Sequence, residues 1–331
     1  MKPFLFSGIQ PSGDIHVGNY CGAIRNWIRL LDTYDGIFGI VDYHALTQPY
    51  DREVLAARTF DAALTNIAAG LDPARCRIFV QSHVPQHTEL AWVLNTVTPM
   101  GDLSRMTQFK EKSLRAEAES YINVGLFTYP VLQAADILLY KAVAVPVGED
   151  QIQHIELSRE IARKFNARFG EIFPEPAQLV PKEGARILGL DGKSKMSKSL
   201  NNYIGLLEDS KAVWTKIAPA VTDPARIRRT DPGTPEICNI YTLHKNFSAE
   251  SDQQEVAQGC RTAGIGCVDC KKILHRNMMA TLEPIQQKAS ELRLDPKPVE
   301  EAIARGAQEC REIAERTMVE VRAAVGARAA R

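Results

Sequence analysis

FLFSGIQPSGDIHVGN, residues 4–19, opens on six apolar or small residues, breaks into a Gln-Pro-Ser-Gly turn, and leads into a helical stretch. FLFSGI is short and bounded by turn formers, so it reads as a buried strand. IFGIVDY (37–43) and RIFVQS (77–82) repeat the pattern, bounded by Gly, Pro or Asp. Between the strands, residues 20–31 and 53–70 carry apolar side chains at helical spacing, as in AARTFDAALTNIAAG (56–70). Gly70 followed by Asp72-Pro73 stops the second of these helices. Strand alternating with helix predicts a doubly wound parallel sheet, an α/β domain. Such sheets bind ligands beyond the carboxyl ends of their strands, so chemistry is expected in the loops that follow them.

From about residue 205 the strand-like runs vanish. IGLLEDSKAVWTKIAPAV (204–221) and the residues after Pro284 read as helices. PVEEAIARGAQECREIAERTMVEVRAAV (298–325) has an apolar stripe and Glu-to-Arg pairing along its other face. These features predict two domains, an α/β domain over 1–200 and an all-helical one over 201–331. The 331 residues balance 40 Lys and Arg against 40 Asp and Glu, so no global charge announces a polyanion partner, although a local patch suffices for RNA. The apolar run at the N-terminus is too short and too interrupted for a signal peptide, and no stretch would span a bilayer. A cytoplasmic protein with no membrane partner is expected.

Two motifs carry the chemistry. In the first, Gln10-Pro11-Ser12-Gly13-Asp14-Ile15-His16-Val17-Gly18-Asn19, the glycines admit close approach of a ligand, and the helix beyond offers N–H groups to phosphate. A capping or surface histidine at 16 would look the same. The second is Lys193-Ser194-Lys195-Met196-Ser197-Lys198-Ser199 on a Gly- and Asn-rich loop. Three ammonium groups in six residues can oppose the charge on a leaving pyrophosphate, although most basic runs are only solvated loops.

Together, His-Val-Gly-Asn and, about 180 residues later, Lys-Met-Ser-Lys-Ser resemble the two signature sequences of class I aminoacyl-tRNA synthetases. FSGIQPSG (6–13), RMTQFKEKS (105–113), FTYPVLQAADILLY (127–140) and VPVGEDQ (145–151) resemble the bacterial tryptophanyl branch, over at least residues 4–200. The resemblance implies a Rossmann-like catalytic domain that activates L-tryptophan with ATP and Mg²⁺, and a helical domain that binds the anticodon of tRNA(Trp). It also implies a homodimer. It places ATP against Gln10, Pro11, Ser12, His16, Gly18, Asn19, Gly148, Glu149, Asp150, Ile187, Lys195, Met196, Ser197, Lys198 and Ser199. Lys195, Lys198, His16 and Gln10 are the expected catalytic residues, and Gln108, Lys110 and Lys112 further candidates for the phosphates. Phe6, Tyr129, Gln133, Asp136 and Gln151 are expected around tryptophan, with Asp136 accepting the indole N–H. A buried acceptor there rejects phenylalanine, which would leave it unpaired. The flanks of Asp136 are apolar, so it should be buried and partnered. Gln133 departs from the Met of many family members, on roughly the same helical face as Asp136. The nearest rival is a tyrosyl enzyme of the same fold, whose pocket needs a partner for a phenol.

Seven cysteines is an odd count, and four of them, Cys238, Cys260, Cys267 and Cys270, stand at intervals of 21, 6 and 2 residues. Four thiolates so spaced hold tetrahedral zinc or an iron–sulfur cluster, whereas scattered cysteines are ordinary buried thiols. A similar quartet in a subset of tryptophanyl enzymes binds a [4Fe–4S] cluster, and the resemblance implies one here, with Zn²⁺ as the alternative. Arg226, Arg228, Arg229, Lys271, Lys272 and Arg276 are the basic residues expected to meet the anticodon.

Overall fold

A computed structural model of the chain describes residues 2–107, 123–180, 187–198 and 200–327. Five parallel strands, β1 (Phe4–Ile9), β2 (Asp35–Ile40), β3 (Cys76–Val80), β4 (Ala144–Pro146) and β5 (Ala177–Leu179), form one sheet in the order β3-β2-β1-β4-β5. The chain winds outward from β1 in one direction and then in the other, so the order reverses between β1 and β4. Such a switch point leaves a crevice at the strands' carboxyl ends, because successive crossovers run to opposite faces. Alternation along each strand divides the core in two. Leu5, Phe38, Ile40, Ile78 and Val80 join one apolar cluster. Phe6, Ile37 and Phe79 join the other.

The first crossover is not one regular helix. His16 caps α1 (Val17–Asn19), a π-helical turn follows at Tyr20–Ile24, and α2 (Arg25–Leu30) completes it. Asp42–Ala45 forms the single turn α3, and Asp51 caps α4 (Arg52–Ala68) by accepting from the N–H groups of Glu53 and Val54. On the opposite face lie α5 (Gln86–Asn95), α6 (Met100–Ser104), α7 (Val124–Leu138) and α8 (Ile152–Phe169). Beyond β5 no further strand joins the sheet among the described residues, and the α-helices there are α9 (Ser210–Ile217), α10 (Asn239–Phe247), α11 (Glu250–Arg261), α12 (Cys267–Leu294) and α13 (Lys297–Val325). The helix expected over 204–221 is confined to α9, because the Asp209 carboxylate caps Ala212 N–H and fixes the start there. No helix among the described residues is long and apolar enough to cross a membrane.

The stripe seen in 298–325 has a definite partner. α13 runs along β3, an edge of the sheet, and contributes Val299 and Ile303 to one core and Ala307, Cys310 and Ile313 to the other. A helix that straddles both cores covers the strand edge. The approach is close at Gly306, where an added Cβ would stand 2.1 Å from the backbone oxygen of Ile78. Gly306→Ala is therefore expected to destabilise the fold by about 1–3 kcal/mol, the usual cost of overpacking a contact that cannot yield. A thermal melt checks this, and an unchanged midpoint would show that the helix can shift.

Candidate active site

At the switch point lies a cavity of about 700 Å³. Its walls come from β1 and the turn after it (Phe6, Gln10, Ser12), from the first helical turn (His16, Asn19), from α7 and from the loop after β4. Tyr129, Gln133 and Asp136 share one face of α7, at i, i+4 and i+7, and all three line the cavity. Asn123 fixes the start of α7 by accepting from Leu126 N–H.

Asp136 is only 1% exposed. Its Oδ2 accepts from Nε2 of His44 at 2.8 Å, and its Oδ1 accepts from Nε2 of Gln81 at 2.7 Å and Nδ1 of His87 at 2.6 Å. Burial pushes the carboxyl up, but the hydrogen bonds and charges of His44 and His87 outweigh it and hold Asp136 at about 2. Asp136 is thus a carboxylate at any physiological pH. A carboxylate accepts at about four positions, so three donors leave one, on Oδ2, for a ligand in the cavity. Above it, the Tyr129 hydroxyl lies 3.0 Å from Nε2 of His154, and Gln133 Nε2 donates to Gln151 Oε1 at 3.5 Å.

The other end of the cavity is cationic. Gly13 adopts φ 133°, and Lys198 lies across it, with Cδ 3.2 Å from where a Cβ would stand. Any larger residue at 13 would be strained and would displace the lysine. Burial lowers Lys198 to about 8, with Asp14 opposing and Arg58 adding to the effect. His16 is lowered to about 4 by burial and by the charges of Lys198 and Lys195, so it is neutral at pH 7. Its Nδ1 accepts from Asn19 N–H at 3.3 Å, and the Asn19 side chain accepts from His16 N–H at 3.1 Å. Occupying Nδ1 as an acceptor puts the proton on Nε2, which makes the ring a directed donor. His16 is both a helix cap and a cavity wall.

Of the residues expected around ATP, Gln10, Ser12, His16, Asn19, Gly148, Ser197 and Lys198 line the cavity, while Pro11, Gly18, Glu149, Asp150, Ile187, Lys195 and Met196 do not. Ile187 and Met196 are buried instead, with Met196 N–H bonded to the Ile187 carbonyl at 3.0 Å, so they hold the base of the lysine loop. Lys195 Nζ pairs with Asp150 Oδ1 at 3.4 Å, beside Gly148. Ser199, Gln108, Lys110 and Lys112 lie outside the described residues. Around the tryptophan candidates, all five expected residues (Phe6, Tyr129, Gln133, Asp136 and Gln151) line the cavity. The partners of Asp136, namely His44 after β2 and Gln81 and His87 after β3, were not legible in the sequence, because no spacing links them to one another or to α7 and only the fold brings them together.

The four cysteines meet in the helical region. Cys238 precedes α10, Cys260 is on α11, and Cys267 and Cys270 sit in the first turn of α12. Burial pushes Cys270 up to about 12, and Cys238, Cys260 and Cys267 all add to it, so the four thiols lie within each other's fields. Among the described residues no three His, Cys, Asp or Glu side chains are grouped so as to hold a metal ion. Two of the expected anticodon-binding residues turn inward. Arg226 is 9% and Lys271 6% exposed. Arg226 Nη1 points at Cys260 Sγ over 3.6 Å, its Nε is buried without a partner, and Lys271 feels the charge of Cys267, Cys238 and Cys270. Arg226 thus packs against a thiol, while the Lys271 ammonium donates to the carbonyls of Ala218 and Ala220 at 2.7 Å, which leaves Arg228, Arg229, Lys272 and Arg276 exposed.

Residues 2–283 match the family described as tRNA synthetases class I (W and Y). The chain is 55% identical over 326 residues to a tryptophan–tRNA ligase of Deinococcus radiodurans, spanning 97% of this chain and 98% of that one. It is 43% identical to a tryptophan–tRNA ligase of Thermotoga maritima, over 97% of this chain and 98% of that one. Its fold superimposes on a tryptophanyl-tRNA synthetase of Campylobacter jejuni, solved with ADP and tryptophan, with a TM-score of 0.88 at 38% identity, covering 98% and 99% of the two chains.

Proposed function

The chain belongs to the class I tRNA synthetases for tryptophan and tyrosine, as a bacterial-type tryptophan–tRNA ligase, and on that premise we propose how its residues divide the work. The observation that carries the reading is the Asp136 carboxylate: ionised, buried, and one acceptor position short of saturation inside the cavity. An indole offers one donor and no acceptor, which fits that single position. A phenol lacks that match, because it also brings an acceptor. Phe6 walls the ring, Tyr129 and Gln151 hold the α-amine and carboxylate, and Gln133 extends the polar side of the pocket.

ATP lies along the first motif. Gln10, Pro11, Ser12, His16, Gly18 and Asn19 receive the phosphates, and Gly148, Glu149 and Asp150 receive the ribose. The tryptophan carboxylate attacks the α-phosphate, the bond to the β-phosphate breaks, and pyrophosphate leaves. Lys195 and Lys198 oppose the charge on that leaving group, and neutral His16 donates from Nε2 without adding a proton to the reaction. Ile187, Met196 and Ser197 shape the loop that presents the two lysines. Mg²⁺ accompanies the nucleotide as its counterion. The ribose hydroxyl of the terminal tRNA adenosine then attacks the activated carbonyl, and AMP departs. Positioning supplies most of the acceleration, since no side chain becomes covalent. Tryptophan-dependent exchange of pyrophosphate into ATP tests this reading, and exchange driven equally by tyrosine would overturn it.

Residues 1–200 carry these sites and 201–331 carry anticodon recognition, with Arg228, Arg229, Lys272 and Arg276 facing the RNA. Trp92 on α5, Met100 on α6 and Val124 on α7 are 73%, 74% and 76% exposed, on helices that pack together. Such apolar surface supports burial against a second copy in a homodimer. The protein works in the cytoplasm, where seven unpaired cysteines persist as thiols.

Cys238, Cys260, Cys267 and Cys270 hold a [4Fe–4S] cluster. Four soft thiol donors beside two buried cations, Arg226 and Lys271, suit a core whose thiolate-ligated form is anionic. A single zinc ion would draw the sulfurs to within roughly 3.8 Å of one another, given tetrahedral Zn–S bonds of about 2.3 Å. The cluster would order a stretch poor in apolar residues and so shape the tRNA face, far in sequence from the ATP motifs. Protein purified without oxygen is expected to be brown, with about four irons per chain. Cys267→Ser or Cys270→Ser should remove the colour and depress tRNA charging, while adenylation persists. One stoichiometric zinc in colourless anaerobic protein would decide for zinc, and metal-free protein with full charging would overturn both.

A further inference from the structure

Behind Asp136 runs a chain of buried hydrogen bonds, through His87 and Tyr140, that does not line the cavity. His87, fully buried, meets Asp136 Oδ1 through Nδ1 at 2.6 Å and the Tyr140 hydroxyl through Nε2 at 2.7 Å. Tyr140 is itself fully buried and is hydrogen-bonded to the Cys310 side chain of α13. The direction of the first bond follows from Asp136: a carboxylate only accepts, so Nδ1 of His87 donates to it. The Tyr140 hydroxyl holds the other side of the ring at Nε2, and Cys310, whose thiol burial pushes up to about 12, is the hydroxyl's other neighbour. Tyr140 also stacks on Phe6, centroid to centroid 5.8 Å at 14°, and meets the edge of Phe79 at 6.0 Å. One side chain thus supports both the wall of the pocket and the partner of its carboxylate.

We propose that Tyr140 is a specificity-determining positioning residue: its hydroxyl anchors the His87 ring that donates to Asp136, and so reserves the open Asp136 lone pair for the indole N–H. This rests on the reading of Asp136 as the indole acceptor. Without the hydroxyl, nothing holds the far side of the His87 ring. The ring would then be free to turn away from Asp136 Oδ1, and the carboxylate would turn to find another donor. Packing barely changes, because phenylalanine keeps the ring contacts to Phe6, Phe79 and His87.

The experiment compares pyrophosphate exchange with tryptophan and with 3-benzothienylalanine, which replaces the indole N–H by sulfur. The quantity read is the ratio of the two kcat/KM values. Tyr140→Phe is expected to lower that ratio about tenfold, the worth of one buried hydrogen bond, through the KM for tryptophan and with the KM for ATP unchanged. Cys310→Ala, which disturbs the same packing but leaves the Tyr140 O–H on His87, should keep the ratio. In a His87→Asn background the amide donates with no ring for Tyr140 to anchor, so adding Tyr140→Phe should cost nothing more. A wild-type ratio in Tyr140→Phe, an equal loss in Cys310→Ala, or additive losses with His87→Asn would overturn the proposal. Asp136→Asn separates the two readings. If it collapses the ratio while Tyr140→Phe does not, only the role of Tyr140 fails. If it leaves the ratio intact, the indole assignment fails first.

Discussion

Asp136→Ala is expected to lower kcat/KM for tryptophan in pyrophosphate exchange by roughly 10²- to 10³-fold, about 2–4 kcal/mol, while the KM for ATP stays near its starting value. Two losses add. The indole N–H enters the cavity with no acceptor and must leave its bond to water unreplaced. The donors of His44, Gln81 and His87, all directed at this carboxylate from buried positions, also lose their common partner. The second loss does not depend on substrate, so the melting temperature should fall as well, and circular dichroism must show a folded protein before the kinetics are read. Unchanged tryptophan-dependent exchange in folded protein would remove Asp136 from recognition, whatever its burial.

Lys198→Ala is expected to reduce kcat for adenylation by about 10²- to 10³-fold, the usual effect of removing one group that stabilises charge in a transition state, with a much smaller change in tryptophan KM. Lys198 lies half-buried against Gly13 with its pKa near 8, whereas Lys195 is exposed and paired with Asp150 at 3.4 Å. Lys198 is therefore the charge held ready in the free enzyme. Its protonated form is the useful one. In the profile of kcat/KM for ATP, which reports the free enzyme, activity should decline as pH rises through about 8. Lys198→Arg, charged throughout that range, should lose this limb while keeping part of the rate. A variant that only weakened tryptophan binding, or an arginine variant with the limb unmoved, would contradict the role.

The sheet and the two ends of the site were legible because local pattern sets them. A run such as FLFSGI cannot be a helix of useful length, and the turn after it carries Gly13 where φ must be positive. The face of α7 was legible for a similar reason, since positions 129, 133 and 136 fall on one side of any helix. What the sequence hid is non-local. His44, Gln81 and His87 reach Asp136 across 92, 55 and 49 residues of chain, and no spacing links them. Arg226 and Lys271 misled for the opposite reason. Basic side chains near a tRNA-binding region are expected at the surface, and only the fold shows that these two are buried, Arg226 against Cys260 and Lys271 on the carbonyls of Ala218 and Ala220. The 204–221 stretch read as one helix because its apolar periodicity runs further than the capped helix itself.

The docking of α13 on β3 sets a timetable for the chain's synthesis. β3 ends at Val80 and the helix that covers its edge begins at Lys297. At the 5–20 residues per second of a translating ribosome, that strand waits roughly ten to forty seconds for its cover. Throughout this interval the nascent sheet presents a bare, apolar edge, the kind that recruits strands from other chains. A nascent chain paused in the helical region would already contain every residue of the cavity wall and still be aggregation-prone. Expression conditions that slow the ribosome late in the message, or a fusion that delays release of α13, should therefore cost soluble yield without altering a single active-site contact.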